Sequence, residues 1–181
     1  KTELRRMMAD FAGIFREPAF YVALWIFGFA VYSLNALLST LRFRRLLFGE
    51  LENAEPWEYA LLKQLCPTPP ALHRSKALSS PILIGLIRPR LILPQKGCSR
   101  EKLENILRHE LTHYRRRDLL YKHLSLLVSA LHWFNPFMPL IRQEIESSCE
   151  LSCDERVLMT MDAERRKSYG ETLLSCAADH A

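Results

Sequence analysis

Residues 19–41 run for 23 positions without an Asp, Glu, Lys or Arg. About 20 consecutive apolar residues suffice for a helix to cross a bilayer. The run therefore restricts the chain to a membrane-attached fold or to one with a long, deeply buried core helix. Tyr21 and Trp25 lie near its first end, where interfacial aromatic residues gather. Arg42, Arg44 and Arg45 follow its second end. The segment before it mixes Lys1, Arg5, Arg6 and Arg16 with Glu3, Asp10 and Glu17 and is compatible with a helix. The heavier basic flank marks the C-terminal side as cytoplasmic. The run is long and internal and has no small-residue cleavage end, unlike a signal peptide. The expected organisation is a juxtamembrane segment (1–18), a transmembrane helix (19–41) and a cytoplasmic domain (42–181).

A chain of 181 residues with 49% hydrophobic content can build one modest domain with appendages. Its net charge of +5 comes from scattered basic residues. There is no glycine-rich phosphate loop, no basic stripe interleaved with aromatics and no repeat, so direct nucleic-acid binding is not expected. Five cysteines without framework spacing read as reduced thiols on the cytoplasmic side.

Residues 50–66 read as an amphipathic helix with Trp57, Ala60, Leu61 and Leu65 on one side. Pro67, Pro69 and Pro70 end it, and residues 67–76 read as a linker or loop. Two short strands follow, at about 82–86 and 90–93. Pro81, Pro89 and Pro94 indicate that at least one is an edge strand. Such an edge, carrying Leu83, Leu86 and Leu91, suits backbone pairing with an extended peptide. These residues are the candidate substrate-binding positions; the bland alternative is that the strands only cover the core.

A helix is expected over 99–117, with Ser99 as N-cap and Glu101 in its first turn. Leu103, Ile106, Leu107, Leu111 and Tyr114 share one face. His109 and His113 border that face, and Glu110 lies near its middle, where packing alone would favour Leu or Ala. A carboxylate there needs a charged or hydrogen-bonding partner. His109-Glu110-Leu111-Thr112-His113 is the H-E-x-x-H pattern, in which i, i+4 imidazoles reach one cation beside a general base. The pattern arises by chance too readily to stand without a third ligand.

Residues 119–141 are apolar but contain Lys122 and His123, and Pro136 and Pro139 break the end. They read as a core helix that also touches or enters the bilayer, with a stop at His132-Trp133-Phe134-Asn135-Pro136. The helix after Pro139 stacks Glu146, Glu150 and Asp154 one turn apart, with Cys149 and Cys153 alongside. Three readings stand at this point. The stripe is a solvated face; or Glu150 is the third metal ligand, with Asp154 accepting a ring N–H from a ligand imidazole; or Cys149 and Cys153 form a thiolate site, against the usual zinc-knuckle spacing.

These stretches occur together in a telling order. His109-Glu110-Leu111-Thr112-His113 is followed by Arg116 and Asp118, then His132-Trp133-Phe134-Asn135-Pro136, then Glu150-Leu151-Ser152-Cys153-Asp154-Glu155. Gly85-Leu86-Ile87-Arg88-Pro89 and Leu93-Pro94 lie upstream. The set resembles the BlaR/MecR-type membrane metallopeptidases, the antirepressor family of bacterial β-lactam sensor-transducers, over roughly residues 19–175. The resemblance implies an α+β, mostly helical, gluzincin-like domain with a small edge sheet, attached to a transmembrane helix. It implies one catalytic Zn2+ held by His109, His113 and Glu150, with Glu110 as catalytic base. A fourth zinc position left for water suits hydrolysis, with Glu110 taking the water's proton and passing it to the leaving amine. Tyr114, Arg116 and His123 are candidates for oxyanion stabilisation by sequence proximity.

The resemblance also implies a multi-pass protein of the bacterial cell membrane with a cytoplasmic catalytic domain. Its implied partners are membrane lipid and a protein substrate of the cytoplasmic transcriptional-repressor type; a homodimer is also compatible with it. Two other functions compete: a quality-control protease for membrane proteins, and a signalling module with a structural zinc that cuts nothing. An intact Glu110 argues against the latter.

Overall fold

The computed structural model describes residues 17–178. The first element is a long helix, α1 (Pro18–Gly49), with Pro18 in its first turn. It outruns the expected span because the residues after the uncharged run continue the helix into the domain. Leu47 is buried at 1% exposure. The guanidinium groups of Arg44 and Arg90 lie 5.4 and 5.2 Å from the centre of the Phe48 ring, so cation–π contacts fasten this end to the sheet. Most of the rest of α1 presents Tyr21, Val22, Ile26, Phe27, Leu34 and similar side chains outward.

Two expectations need correction between residues 50 and 76. The helix read over 50–66 is instead a short strand, β1 (Leu51–Asn53), followed by α2 (Pro56–Leu65). Pro56 sets the helical φ at the first position, and Glu55 and Glu58 form a reciprocal capping box. The stretch read as a loop contains β2 (Ala71–Ser75). β3 (Ile82–Ile84) is shorter than expected, since Gly85 at φ +90° turns the chain out of the sheet. β4 (Arg90–Pro94) matches its expected position closely. The four strands lie in the order β1-β2-β4-β3. β2 and β4 are parallel, and the outer pairs are antiparallel.

β3 is thus an edge strand, as its prolines suggested. β4 is not. It pairs with β2 and β3 at once, so Leu91, opposite both Leu72 and Leu83, has no free backbone edge to offer a peptide. The assignment of Leu91 to a substrate edge is corrected to a core position, at 0% exposure.

Four helices complete the domain: α3 (Arg100–Arg116), α4 (Asp118–Leu131), α5 (Met138–Met159) and α6 (Ala163–Ala178). Ser99 caps α3 by accepting from the Lys102 N–H at 3.2 Å, as its position predicted. Leu103, Leu107 and Leu111 of α3 pack with Leu61, Leu62, Leu72, Leu83, Leu91 and Leu93, so α2, the sheet and α3 share one core. The proline-broken stretch after residue 118 resolves into α4, a turn, and the start of α5. The charge-mixed segment before residue 17 lies outside the described residues.

One polar contact inside this core was not foreseen. Glu58 is fully buried, and its carboxylate accepts from Arg74 Nε at 3.0 Å and from Arg74 Nη2. Arg74 Nη1 also donates to the carbonyls of Pro94 and Gln95 at 2.8 and 3.0 Å. The pair ties α2 to β2 and to the end of β4, with every charge answered. Removing one partner strands the other in a dry site, which costs about 3–5 kcal/mol. Arg74→Ala is therefore expected to lose stability of that order in denaturant unfolding of the purified protein. Replacing Glu58 and Arg74 together by Leu and Met should recover most of the loss.

Candidate metal centre

α3 and α5 cross so that one turn of each faces the other. The i, i+4 spacing on α3 sets His109 Nε2 and His113 Nε2 3.0 Å apart. From α5, Glu150 Oε2 comes to 3.2 Å from His113 Nε2 and 3.4 Å from His109 Nε2. Three donor atoms thus form a nearly equilateral triangle. A tetrahedral ion with ligands at about 2.0–2.1 Å separates them by about 3.3 Å, so the donor set fits such an ion.

The far side of each imidazole is held as well. His113 Nδ1 lies 2.7 Å from Asp118 Oδ2, whose residue is 2% exposed. His109 Nδ1 lies 3.0 Å from Asp154 Oδ1 and 2.8 Å from the Tyr169 hydroxyl. Tyr169 in turn donates to Asp154 Oδ1 at 2.7 Å. Carboxylates on both Nδ1 atoms keep the proton there and aim each Nε2 lone pair at the centre. Asp118 is placed by a sharp corner: Arg117 adopts the left-handed conformation (φ 58°), ending α3 and starting α4 at once. Arg116 Nε stands 3.2 Å from Asp118 Oδ1.

The acidic stripe of α5 therefore separates by partner. Glu146 pairs with Arg142 at 3.3 Å, Glu150 joins the histidines and is 3.4 Å from Lys122 Nζ, and Asp154 supports His109. Cys153 is buried, 3.8 Å from His109 Nδ1, with its thiol aimed at the His109 carbonyl at 3.5 Å. His109, His113 and Cys153 also offer donor atoms within 4.8 Å of one another. The Glu150 set is tighter and lies on the Nε2 atoms of both imidazoles, so it is the better metal cradle. Cys149 opens instead into a groove with Arg116, Tyr121 and Ile141, which separates it from Cys153 and disfavours a paired thiolate site.

The charges of this cluster are strongly coupled. Burial pulls both imidazoles down. Hydrogen bonds to Cys153 and Glu150, joined by Asp118 at His113, outweigh it and push His109 up to about 10 and His113 up to about 11. The same histidines hold the Glu150 carboxyl far below the usual carboxylate range. Protons on the Nε2 atoms therefore compete with a metal for the same lone pairs, and metal binding releases them. Burial pushes Glu110 up, against the pull of His109 and His113. Burial also raises the Tyr169 phenol, with Asp154 adding to it.

Glu110 borders a cavity of about 150 Å³ that also touches Ser80, Pro81, Asn105 and Tyr169. On the His113 side, a groove of about 570 Å³ is lined by Leu83, Leu86, Ile87 and Tyr114. Pro81, just before β3, lines the first space, and Leu83, with Gly85 and Leu86 after the strand, lines the second. The three candidate oxyanion stabilisers point elsewhere. The Tyr114 hydroxyl donates to the Thr68 carbonyl at 3.4 Å, Arg116 binds Asp118 and Ser152, and His123 Nδ1 meets the Leu119 carbonyl at 2.6 Å. Asp118 and Tyr169 were not assigned roles from sequence. Asp118, five residues after His113, was legible as part of a motif. Tyr169 lies on α6, 60 positions from His109, with no local signal.

Residues 14–181 match the family described as BlaR1 peptidase M56. The chain is 34% identical over 166 residues to the Regulatory protein BlaR1 of Bacillus licheniformis, covering 87% of this chain and 27% of that one. It is 28% identical over 106 residues to the Methicillin resistance mecR1 protein of Staphylococcus aureus, covering 57% of this chain and 18% of that one. The chain thus spans about a quarter or less of the length of these curated relatives.

A ligand and its outer partner should differ in how much metal they cost. Glu150→Ala is expected to leave the purified protein with little bound zinc. Asp118→Asn should keep the site but weaken it by about 10–100-fold, read by competition with a chelator of known affinity. If Glu150→Ala retained zinc and Cys153→Ala lost it, the thiol set would be the true cradle.

Proposed function

The chain belongs to the BlaR1 peptidase M56 family, and on that premise we propose that it is a membrane-held zinc endopeptidase. His109, His113 and Glu150 hold the metal, and the catalytic face looks into the cytoplasm. Its substrate is a cytoplasmic protein of the repressor type, as the likeness to regulatory and resistance proteins suggests. The observation that carries this reading is the position of Glu110. It follows His109 on α3, beside the cluster in which both Nε2 atoms and Glu150 Oε2 lie within 3.4 Å of one another, and it lines a cavity together with His109 and Tyr169.

Zinc held by His109, His113 and Glu150 would supply Lewis acidity for hydrolysis. The chain's own residues supply the rest. Glu110 is raised by burial, which suits a carboxylate that must accept a proton and then release it to a leaving amine. Asp118 and Asp154 fix the imidazole tautomers, so the histidines cannot turn their Nε2 atoms away. Lys122, 3.4 Å from Glu150 Oε1, offsets the negative charge of that carboxylate. A structural zinc site has no use for a base so placed.

β3 provides the substrate rail. Its outer edge is unpaired among the described strands, and residues at its two ends line the Glu110 cavity and the groove beside His113. An extended peptide added there by backbone pairing holds its scissile bond along α3, while pockets choose side chains. Pro81 and Pro89 limit indiscriminate pairing along the same edge.

Glu110→Gln is expected to retain zinc and lower the rate of metal-dependent cleavage by about 10²–10⁴-fold. The protein reconstituted in liposomes with a purified repressor-type substrate is the assay. Equal cleavage by the variant would remove Glu110 from the chemistry.

Leu83→Pro deletes one backbone donor from β3. Provided zinc content and unfolding midpoint are kept, KM for a protein substrate should rise severalfold. Unchanged kinetics in that folded variant would leave β3 as a core cover only.

A further inference from the structure

The domain grips α1 at two levels. At one, Leu47 is buried and Phe48 lies beneath Arg90. At the other, two indoles exchange hydrogen bonds: Trp25 Nε1 donates to the Leu131 carbonyl at 3.0 Å, and Trp133 Nε1 donates to the Trp25 carbonyl at 3.2 Å. The Trp133 ring lies so close to Gly28 that a Cβ there would fall 2.0 Å from it. At 1.5 Å rise per residue, Gly28 and Leu47 are about 28 Å apart along the helix. That is nearly the thickness of bilayer hydrocarbon. Trp25 itself lies about 24 Å up the helix from Leu41, the last residue of the uncharged run. Whatever docks on Trp25 therefore sits within the same apolar layer that receives α1.

What docks there is dressed for that layer. Residues 124–141 contain no Asp, Glu, Lys or Arg. They turn Leu124, Leu127, Val128, Phe134, Phe137 and Leu140 outward, each between 38% and 65% exposed. The buried side of α4 is small and polar instead. Ser125 Oγ donates to the Lys122 carbonyl and Ser129 Oγ to the Ser125 carbonyl, so neither hydroxyl is left bare. This is the inverse of a water-facing helix: hydroxyls inside, leucines outside. Lys122 and His123 stand at the mouth of the hairpin, and Arg142, just past its other end, is paired with Glu146. The sole ionisable group between them, His132, has its Nδ1 on the Val128 carbonyl at 3.1 Å. Ionisable groups at such depth persist when they are paired or kept near an interface.

We propose that the end of α4, the turn after it and the first turn of α5 form a re-entrant hairpin buried in lipid, docked on α1 through the Trp25–Gly28–Trp133 contact. The occupant of the leucine-rich face is the acyl region of the bilayer. This face is continuous with the apolar flank of α1, and it is too wide to be left in water by a folded chain. Asp118, which holds His113, begins the same helix, so the metal centre stands directly at the base of a membrane-inserted element.

The test is depth measurement on the full chain in liposomes. Nitroxide labels are placed one at a time at Leu124, Leu127, Phe134 and Leu140 on a cysteine-free background that retains zinc. Phe27 on α1 and Lys76, an exposed residue of the domain, serve as references. The expected result is oxygen accessibility severalfold above that of a water-soluble nickel complex at the four hairpin sites and at Phe27, and the reverse at Lys76. Water-like values at the hairpin with lipid-like values at Phe27 overturn the hairpin alone. Water-like values at Phe27 as well overturn the membrane reading of α1 and the hairpin with it. Labels that are immobile and reached by neither reagent mean that a second copy or another protein segment covers the face, which also overturns the proposal. Should the cysteine-free background fail to fold, a photoreactive benzoylphenylalanine at Leu127 in the otherwise unaltered chain decides the matter. Crosslinks to lipid support it; crosslinks only to protein, or none, overturn it.

Discussion

The meeting of His109, His113 and Glu150 within 3.4 Å is the constraint on which the rest of the domain depends. Two imidazoles at that distance repel when both carry protons, and the half-exposed Glu150 carboxylate among them offsets that charge. The arrangement persists because each member is held from behind. Asp118 and Asp154 accept from the two Nδ1 atoms, Tyr169 braces Asp154, and Lys122 answers Glu150. These braces come from three different helices. The fold can therefore be understood as the means of bringing α4, α5 and α6 around one face of α3, whose opposite face is anchored in the leucine core with α2 and the sheet.

Helical periodicity made part of this legible beforehand. An i, i+4 pair on a capped amphipathic helix has one geometry, so His109, His113 and the odd placement of Glu110 could be read directly, as could Ser99 as the cap. The stripe of Glu146, Glu150 and Asp154 was legible as a stripe. Which member meets the histidines depends on the crossing of α3 and α5, and here the family resemblance pointed to Glu150. Tertiary pairing hid the rest. β2 follows three prolines that read as a loop, and its Arg74 is answered only by distant partners, Glu58 and the carbonyls of Pro94 and Gln95. Leu91 shares its composition with Leu83, but strand order alone decides that one lies inside the sheet and the other at its edge. Tyr169 carries no local pattern at all.

The electrostatics of the centre follow from the same packing. Without a metal, the imidazoles are driven towards their protonated forms by Cys153, Glu150 and, at His113, Asp118, whereas loss of hydration drives Glu110 towards neutrality. A divalent cation on the Nε2 atoms would take the place of those protons, and its positive charge would likewise favour an ionised Glu110, since opposite charge nearby stabilises a carboxylate.

α4 connects this chemistry to α1 by the shortest rigid route in the domain. Its first residue, Asp118, holds His113 at 2.7 Å, and its last, Leu131, accepts from Trp25. They are the two ends of 14 residues of unbroken helix, about 20 Å long and stiff along its axis. The corner at Arg117 leaves no slack, because the left-handed residue ends one helix and begins the next. A shift of α1 against the sheet must therefore be absorbed at the Leu47 and Phe48 contacts, at the Trp133 ring against Gly28, or at the Asp118–His113 hydrogen bond. At the Gly28 contact, displacing the Trp133 ring breaks its hydrogen bond to the Trp25 carbonyl.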